Sequence, residues 1–495
     1  MGIRSLLAGP FASLILGQNR TWMQRPELTQ LLWMQSLMQD AAHTTFAKDH
    51  HFHHIHNPID FQEAVPLRDY EGLKSYIDQV VDGKANVLWP GKPLYFAKTS
   101  GTTSGVKYIP ISKNSIPYHI SSARDALFSY IKETKNTKWT DKKLIFLSGS
   151  PEMSMKNGVH VGRLSGIVNH HVPNYLRSNQ LPSYDTNCIE DWEQKLDKII
   201  DETINEDMSL ISGIPPWVQM YFDRIQARTG KQIKDVFPNF SVFVYGGVNF
   251  EPYRAKLFDT IGKKIDSIET YPASEGFIAY QDKQNEEGLL LLLDSGVYYE
   301  FIPVTDYFKA KPRRLHVGEV KLGVNYALIM NTNAGLWGYS IGDTVRFVSL
   351  DPYKIVVTGR IKHFISAFGE HVIGEEVEKA MQYAMSRSEK AELVEFTVAP
   401  QVTPVEGGLP YHEWLIEFAN PPADLENFAT DIDNKLRELN VYYDDLIRGN
   451  ILQKLKIKSV KRNTFIDYMK SEGKLGGQNK LPRLANDRKI ADAVG

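Results

Sequence analysis

The stretch that most constrains the interpretation of this chain is Thr99-Ser100-Gly101-Thr102-Thr103-Ser104-Gly105-Val106-Lys107, in which seven of nine residues are glycine, serine or threonine. Glycine lets a backbone turn its N–H groups toward an anion, the hydroxyls add donors, and the lysine supplies a positive charge. Extended residues flank it at 94–97 and 108–111, so we predict a strand–loop–strand hairpin that binds phosphate. It is not a Walker loop, because Val106 separates Gly105 from Lys107. A serine- and threonine-rich surface turn is the alternative.

Length and composition limit the class of protein. The 495 residues exceed what one hydrophobic core supports, so two or more domains are expected. With 42% hydrophobic and 23% charged residues, the composition is typical of a globular protein. The net charge of −2, without a long run of one sign, argues against nucleic acid as a partner. A single cysteine, Cys188, excludes an internal disulfide and favours a reducing, cytoplasmic location.

Three segments have a functional and a structural interpretation. Residues 3–16 are predicted to form a packed N-terminal helix, with a signal peptide as the alternative. No stretch reaches the ~18 apolar residues of a membrane span. The histidine-rich stretch 50–56 is predicted to be a polar helix–loop segment, with metal binding as the alternative. Cys188 is predicted to stand at a helix start capped by Thr186 or Asn187, with a catalytic thiol as the alternative.

Strand-like and helix-like segments alternate through most of the chain, which predicts an α/β domain with buried sheets flanked by helices. A helix is expected at 189–204, and strands are expected at 144–147, 242–245, 288–293, 298–304, 319–322 and 327–330. The pattern breaks near 356–366 and restarts as a small α+β unit. Its predicted elements are helices at 375–387 and 424–439 and strands at 391–399, 412–419 and 453–460. We therefore predict a large domain at 1–360 and a small one at 364–495, joined by a hinge.

Three further segments carry polar groups at predicted strand ends. Tyr245-Gly246-Gly247 has glycines that permit close approach of an adenine ring, with a tight turn as the alternative. Glu269-Thr270-Tyr271-Pro272-Ala273-Ser274-Glu275-Gly276 follows a predicted strand at 266–268 and offers a carboxylate for Mg²⁺. Tyr339-Ser340-Ile341-Gly342-Asp343 places an aspartate just before a predicted strand at 344–348, where it can bind ribose hydroxyls. Taken singly, each segment fits a structural role as well as a site.

In this order the segments resemble the adenylate-forming superfamily of acyl-CoA synthetases, peptide-synthetase adenylation domains and luciferases. Within it, the chain is similar to the Gretchen Hagen family, the auxin-responsive acyl-acid amido synthetases of plants and their bacterial relatives. The family's Ser/Thr-Ser-Gly-Thr-Thr-x-Gly-x-x-Lys loop resembles residues 99–107, and its Tyr-x-x-Ser-Glu motif resembles residues 271–275. Its Tyr-Arg-x-Gly-Asp motif resembles residues 339–343. Near the end, Gln478-Asn479-Lys480-Leu481-Pro482-Arg483 is similar to its Gln-Tyr-Lys-x-Pro-Arg. The resemblance runs from about residue 20 to about residue 487.

The resemblance implies that ATP and Mg²⁺ activate a small carboxylic acid as an acyl-adenylate, which an amino acid then attacks. It implies Lys480 and Glu275 as catalytic residues, with Glu275 also holding Mg²⁺ and Lys480 reaching the α-phosphate from the small domain. The implied ATP contacts are Ser100, Gly101, Thr102, Thr103, Ser104 and Lys107 for the phosphates, Gly246, Gly247 and Tyr271 for adenine, and Asp343 and Arg360 for the ribose. From position and apolarity, the acyl pocket is expected at Leu164, Val168, Pro215, Trp217, Val218, Val248 and Phe250.

Two departures from the family's motifs leave the identity of the acyl acceptor undecided between an amino acid and CoA. Ser340 stands where the plant motif has arginine, and residues 359–373 look more like the corresponding stretch of acyl-CoA ligases. The main interpretation is an acyl-acid amido synthetase, and the alternatives are a ligase that transfers to the CoA thiol and a non-catalytic nucleotide-binding protein. The presence of Lys107, Glu275, Asp343 and Lys480 argues against the last.

Overall fold

The computed structural model describes residues 2–100, 106–172, 177–189, 191–247, 250–361, 364–365, 372–402, 404, 408–448, 451–475, 480–485 and 487–495. The chain divides into two compact units. The large unit comprises Met1–Phe250, Leu257–Ile341 and Val345–Val356. The small unit comprises Glu251–Lys256, Gly342–Thr344 and Val357–Gly495. The predicted domain boundary at 360–364 stays a prediction.

Helices of the large unit lie mostly before and between the strands of its sheets. They are α1 Ile3–Asn19, α2 Pro26–Ala41, α3 Thr45–Asp49, α4 Pro58–Ala64, α5 Tyr70–Val81, α6 Ile116–Thr134, α7 Leu164–His170, α8 Tyr184–Cys188, α9 Trp192–Thr203, α10 Pro215–Thr229, α11 Ile233–Val236 and α12 Glu251–Ile261, whose first turn belongs to the small unit. Several begin at a polar cap that satisfies a free backbone N–H, as Asp191 does for Gln194 at the start of α9.

Two sheets carry the strands up to residue 360. The first has the order β2-β1-β5-β4, and the second has the order β12-β13-β14-β15-β11-β10-β9-β8-β7-β3-β6. Strands β6, β3, β7, β8 and β9 run parallel, so their carboxyl ends share one edge, where open α/β sheets bind ligands. The strands are β1 Tyr95–Ser100, β2 Val106–Ile111, β3 Lys143–Phe146, β4 Ser154–Lys156, β5 Val159–Gly162, β6 Gln180–Leu181, β7 Met208–Ser212, β8 Val242–Gly246, β9 Asp266–Ala273, β10 Gly276–Tyr280, β11 Leu289–Leu291, β12 Val297–Pro303, β13 Asn325–Thr332, β14 Tyr339–Leu350 and β15 Tyr353–Arg360.

The small unit adds a sheet of order β18-β19-β20 with helices packed on it. Strands β18 and β19 are antiparallel, and β19 and β20 are parallel. Its core is built from side chains such as Phe396, Trp414 and Ile432, all fully buried. The elements are β16 Phe364–Ile365, β17 Val372–Ile373, α13 Gly374–Ser386, β18 Glu392–Gln401, β19 Tyr411–Asn420, α14 Leu425–Leu439, α15 Val441–Arg448, β20 Lys456–Val460, α16 Thr464–Ser471 and α17 Lys489–Val494.

The predicted mixed α/β architecture is confirmed, as is the hairpin, in which Thr99 of β1 pairs with Lys107 of β2. The predicted strand at 319–322 is wrong. Residues Val317–Glu319 form a 3₁₀ turn instead, because the Glu319 carboxylate accepts a hydrogen bond from the His316 backbone N–H at 3.1 Å.

The predicted helix cap near Cys188 is also wrong. Thr186 and Asn187 lie inside α8, whose cap is Ser183, and Cys188 ends that helix. The N-terminal helix forms at residues 3–19, but only one side packs, with Ala12 buried and Leu6 and Leu14 exposed. Within the described residues, no helix is both long enough and apolar enough to cross a lipid bilayer.

Candidate functional site

The hairpin β1–β2 presents Lys107 beside Tyr70 of α5. The Lys107 ammonium lies 5.4 Å from the centre of the Tyr70 ring, and the Tyr70 hydroxyl accepts a hydrogen bond from the Tyr108 backbone N–H at 2.9 Å. Burial raises the pKa of Tyr70, so this phenol stays neutral. Gly101, Thr102, Thr103 and Ser104, and the side chain of Ser100, lie outside the described residues, and their contact with phosphate stays a prediction.

Gly246 ends β8 where the backbone of β9 approaches closely. It pairs with Thr270, and a Cβ atom at position 246 would lie 2.4 Å from the Thr270 carbonyl oxygen. Gly247 follows with a φ of +82°, which glycine adopts without strain. Tyr271, the next residue of β9, is buried. The three residues expected at adenine therefore lie near the carboxyl ends of two neighbouring strands, β8 and β9. The close approach of the two backbones is by itself a sufficient reason for glycine at position 246.

Glu275 sits in the turn between β9 and β10. The sequence placed this motif after a strand, whereas β9 runs through Ala273 and only Ser274 and Glu275 form the turn. The hydroxyl of Tyr339, the first residue of β14, donates a hydrogen bond to Glu275 Oε1 at 3.2 Å. Burial, and then the charge of Glu275, raise the pKa of Tyr339 well above its usual value, so the hydroxyl keeps its proton. Tyr339 thus orients the carboxylate, a role that the sequence motif left unassigned.

Asp343 and Arg360 form an ion pair in the small unit. The Arg360 Nε atom lies 2.6 Å from Asp343 Oδ1, with the Asp343 side chain 13% exposed and the Arg360 side chain 50% exposed. The sequence placed Asp343 just before a strand, but it lies within β14. The two residues expected at the ribose are therefore brought together, and each supplies a counter-charge for the other.

The charges of Asp343 and Arg360 both act on the pKa of Lys480. Burial of its ammonium lowers the pKa of Lys480 to about 8, Asp343 opposes that fall, and Arg360 adds to it. The residue as a whole still keeps exposed surface. A pKa of about 8 leaves most of the ammonium charged at pH 7, which suits a group that neutralises phosphate charge.

Arg483, which sequence reasoning left without a role, anchors the segment that follows Lys480. Its guanidinium donates to the Tyr253 hydroxyl at 2.6 Å and to Glu378 Oε1 at 3.3 Å, and it pairs with Glu395 of β18. Its carbonyl accepts a hydrogen bond from the Val398 N–H at 2.9 Å. The end of the motif at 478–483 therefore ties residues 481–485 to β18, immediately beyond Lys480. The Pro-Arg ending of that motif was the only sequence signal for this anchor.

The predicted acyl-pocket residues fall into separate packing environments. Leu164 and Val168 of α7 pack in the hydrophobic cluster that includes Phe96 of β1. The other described candidates are largely buried side chains elsewhere in the large unit, and Val248 lies outside the described residues. Trp217 packs on Trp192 with ring centroids 4.7 Å apart, Phe250 packs on Tyr245 at 4.8 Å, and Val218 is fully buried. The acyl pocket stays a prediction.

Three family models match the chain in order. The GH3 family N-terminal domain matches residues 16–186 and 161–265, the GH3 family central domain matches residues 290–360, and the GH3 family C-terminal domain matches residues 375–489. The N-terminal matches alone span half of the chain.

Similar proteins cover nearly the whole length. The Jasmonoyl–L-amino acid synthetase JAR4 of Nicotiana attenuata is 21% identical over 92% of this chain and 91% of its own. The indole-3-acetic acid-amido synthetase GH3.3 of Arabidopsis thaliana is 24% identical over 88% and 85%.

Solved structures share the fold. The GH3.15 acyl acid amido synthetase superposes with a TM-score of 0.78 at 16% identity, covering 94% of this chain and 93% of its own. A 2-hydroxyisobutyryl-CoA ligase in the postadenylation state reaches 0.60 at 13% identity, covering 94% and 90%. With three consecutive domain models matched and the expected motifs in sequence order, this chain belongs to the GH3 family.

Proposed function

We propose that this protein is an ATP-dependent acyl acid amido synthetase, which activates a carboxylic acid as an acyl-adenylate and transfers the acyl group to an amino acid. One observation carries the proposal. Six described residues of the predicted site lie in two sets, one on the neighbouring strands β8 and β9 and the turn after β9, the other around the Asp343–Arg360 ion pair. Gly246, Tyr271 and Glu275 belong to the large unit, and Asp343, Arg360 and Lys480 belong to the small unit. GH3 family membership supports the same activity.

The first half-reaction is phosphoryl chemistry on a carboxylate. A carboxylate oxygen attacks the α-phosphorus of ATP, the bond from that phosphorus to the bridging oxygen breaks, and pyrophosphate leaves. Because the reacting groups are all anionic, catalysis consists mainly of positioning them and neutralising charge. We assign charge neutralisation at the β- and γ-phosphates to Lys107 and at the α-phosphate to Lys480, which is mostly protonated at pH 7.

Magnesium would be held by Glu275 together with the phosphates. The carboxylate is only partly buried, and the Tyr339 hydroxyl orients it by donating to Oε1. Mg²⁺ in nucleotide sites commonly takes one or two carboxylates plus phosphate oxygens and water. The described residues contain no group of three or more side chains that would cage a metal alone, which agrees with a shared site. When bound, the ion would neutralise phosphate charge.

The second half-reaction is acyl transfer. The neutral amine of the acceptor attacks the carbonyl carbon of the acyl-adenylate, the bond from that carbon to the phosphate oxygen breaks, and AMP leaves while the amine loses a proton. We propose an amino acid as the acceptor and assign the ribose hydroxyls of the nucleotide to Asp343 with Arg360. The cytoplasmic location expected from the sequence stays a prediction.

Pyrophosphate release across a panel of carboxylic acids tests the activity, with each acid assayed alone, with pooled amino acids and with CoA. We expect acid-dependent release that rises with amino acids, together with an amide product. Release stimulated by CoA, with a thioester product, would contradict the proposed acceptor. No release with any acid would contradict adenylation itself.

A further inference from the structure

Two basic side chains meet the loop that follows β3, at the carboxyl edge of the large sheet. Lys195 of α9 is 3% exposed, and its ammonium donates to the Ser148 carbonyl at 2.9 Å and to the Asn187 carbonyl at 2.6 Å. Both acceptors are neutral, and an ammonium has three donors. Lys195 is therefore a buried charge held by two backbone carbonyls.

Arg163 reaches the same loop from the end of β5. A Cβ atom at Gly149 would lie 2.8 Å from Arg163 Cδ and 3.4 Å from Ser165 Oγ, so the arginine side chain packs directly against the glycine. The two cations influence each other. Burial lowers the pKa of Lys195 to about 8, the charge of Arg163 lowers it further, and Cys188 acts in the opposite direction. Among the described residues, no carboxylate forms an ion pair with either one.

Polar atoms beside these cations lack partners. The side-chain amide of Asn187, a residue 1% exposed, makes no hydrogen bond through its nitrogen or its oxygen, and the buried Ser165 hydroxyl makes none within the described structure. Buried polar groups normally have partners in the folded protein, in water or in a ligand. Among the described residues, two cations without a carboxylate partner, together with the unpaired Asn187 amide and Ser165 hydroxyl, match the needs of an anion.

We propose that Arg163 and Lys195 form a binding site for a substrate carboxylate that does not react, with Arg163 making the contact and Lys195 supporting it. The inference rests on the proposed function. Strand β3 lies two strand spacings from β8, about 10 Å, so one small molecule can span from this loop to Gly246. That length fits a second carboxylate on the acyl acid. The α-carboxylate of the acceptor amino acid carries the same chemistry.

The experiment uses Arg163→Gln and Lys195→Met in the full-length protein, with Lys198→Gln as the matched control. Lys198 lies on the same helix, is 64% exposed and pairs only with a surface aspartate among the described residues. The adenylation arm compares octanedioate with octanoate by pyrophosphate release without an acceptor. The transfer arm compares alanine with alaninamide, using the acid that wild type activates fastest.

We expect Arg163→Gln to reduce kcat/KM about tenfold or more in one arm for the probe with the additional carboxylate, octanedioate or alanine, which identifies the source of the carboxylate. The matched probe without that carboxylate, octanoate or alaninamide, should change less than about twofold, since it cannot make the contact. Lys195→Met should act in the same direction, and Arg163→Gln alone decides if that buried variant does not fold. Equal losses for probes with and without the additional carboxylate, or no loss in either arm, would overturn the proposal. Failure of wild type to activate any acid contradicts the proposed function instead.

Discussion

Replacing Asp343 with asparagine should lower the pH at which adenylation loses its activity. Burial lowers the pKa of Lys480 to about 8. The negative charge of Asp343 raises that pKa, and the positive charge of Arg360 lowers it. If the protonated ammonium assists attack on the α-phosphorus, the rate falls as pH rises through that pKa. Asp343→Asn removes the favourable charge and leaves the unfavourable one, so the midpoint moves to lower pH. Arg360→Gln removes the opposing charge and should move the same midpoint upward.

The size of the change follows from the charges and their exposure. As a reference, two unit charges about 4 Å apart at an effective dielectric of about 20 interact by about 4 kcal/mol, and the energy falls as the distance grows. Arg360 already offsets part of the Asp343 charge from 2.6 Å away, and its own side chain is 50% exposed. Discounting the interaction by more than half for pairing and solvent leaves about 1 kcal/mol. At 1.36 kcal/mol per pH unit, the midpoint should move by about 0.5–1 pH unit.

The measurement is the rate of pyrophosphate release between pH 6 and pH 10 for wild type and both variants. ATP must be saturating at every pH, because Asp343→Asn is also expected to weaken nucleotide binding by about 1.5–3 kcal/mol if Asp343 binds the ribose as proposed. Opposite displacements of the two variants support the assignment. Displacement in the same direction, or none in either variant, would refute the reasoning that this pair sets the charge of Lys480.

Three further changes probe contacts that position the site. Gly246→Ala should lower the free energy of unfolding by about 1–3 kcal/mol in urea titrations, because its Cβ would lie 2.4 Å from the Thr270 carbonyl; an unchanged midpoint would show that the strands separate easily. Tyr339→Phe removes the hydroxyl that orients Glu275 and should raise the Mg²⁺ concentration needed for half-maximal pyrophosphate release while leaving the KM of the acid unchanged. Arg483→Met removes the counter-charge that Arg483 supplies to Glu378 and Glu395 and should destabilise the protein by about 3 kcal/mol in urea titrations. It should also slow adenylation more than it weakens ATP binding by calorimetry, and equal losses would mean that the anchor does not serve Lys480.

Local pattern was enough to predict the alternating strands and helices and the small α+β region. Buried strands such as β13 are continuous apolar runs, and the amphipathic helix α14 shows its spacing in the sequence. The strand at 319–322 was predicted wrongly because a side chain of the turn, Glu319, bonds the backbone and outcompetes the extended state.

The contacts that organise the candidate site could not be predicted from the sequence. Tyr339 and Glu275 are 64 residues apart, and Arg483 and Tyr253 are 230 residues apart, so no local periodicity connects them. The burial of Lys195 could not be predicted either, because a lysine next to the apolar positions of a helix is normally solvated. In the structure its side chain is buried under the loop after β3. Motif resemblance located Glu275, Asp343 and Lys480, and only the tertiary structure supplied their partners.

The most direct test of the central claim follows an isotope through the first half-reaction. An acid that the protein activates is labelled with ¹⁸O in its carboxylate and incubated with ATP, Mg²⁺ and an amino acid, and the nucleotide product is analysed by mass spectrometry. Attack of the carboxylate on the α-phosphorus, followed by displacement at the carbonyl, predicts AMP that carries one ¹⁸O atom. Formation of ADP with labelled inorganic phosphate, or of AMP without label, would contradict an acyl-adenylate mechanism.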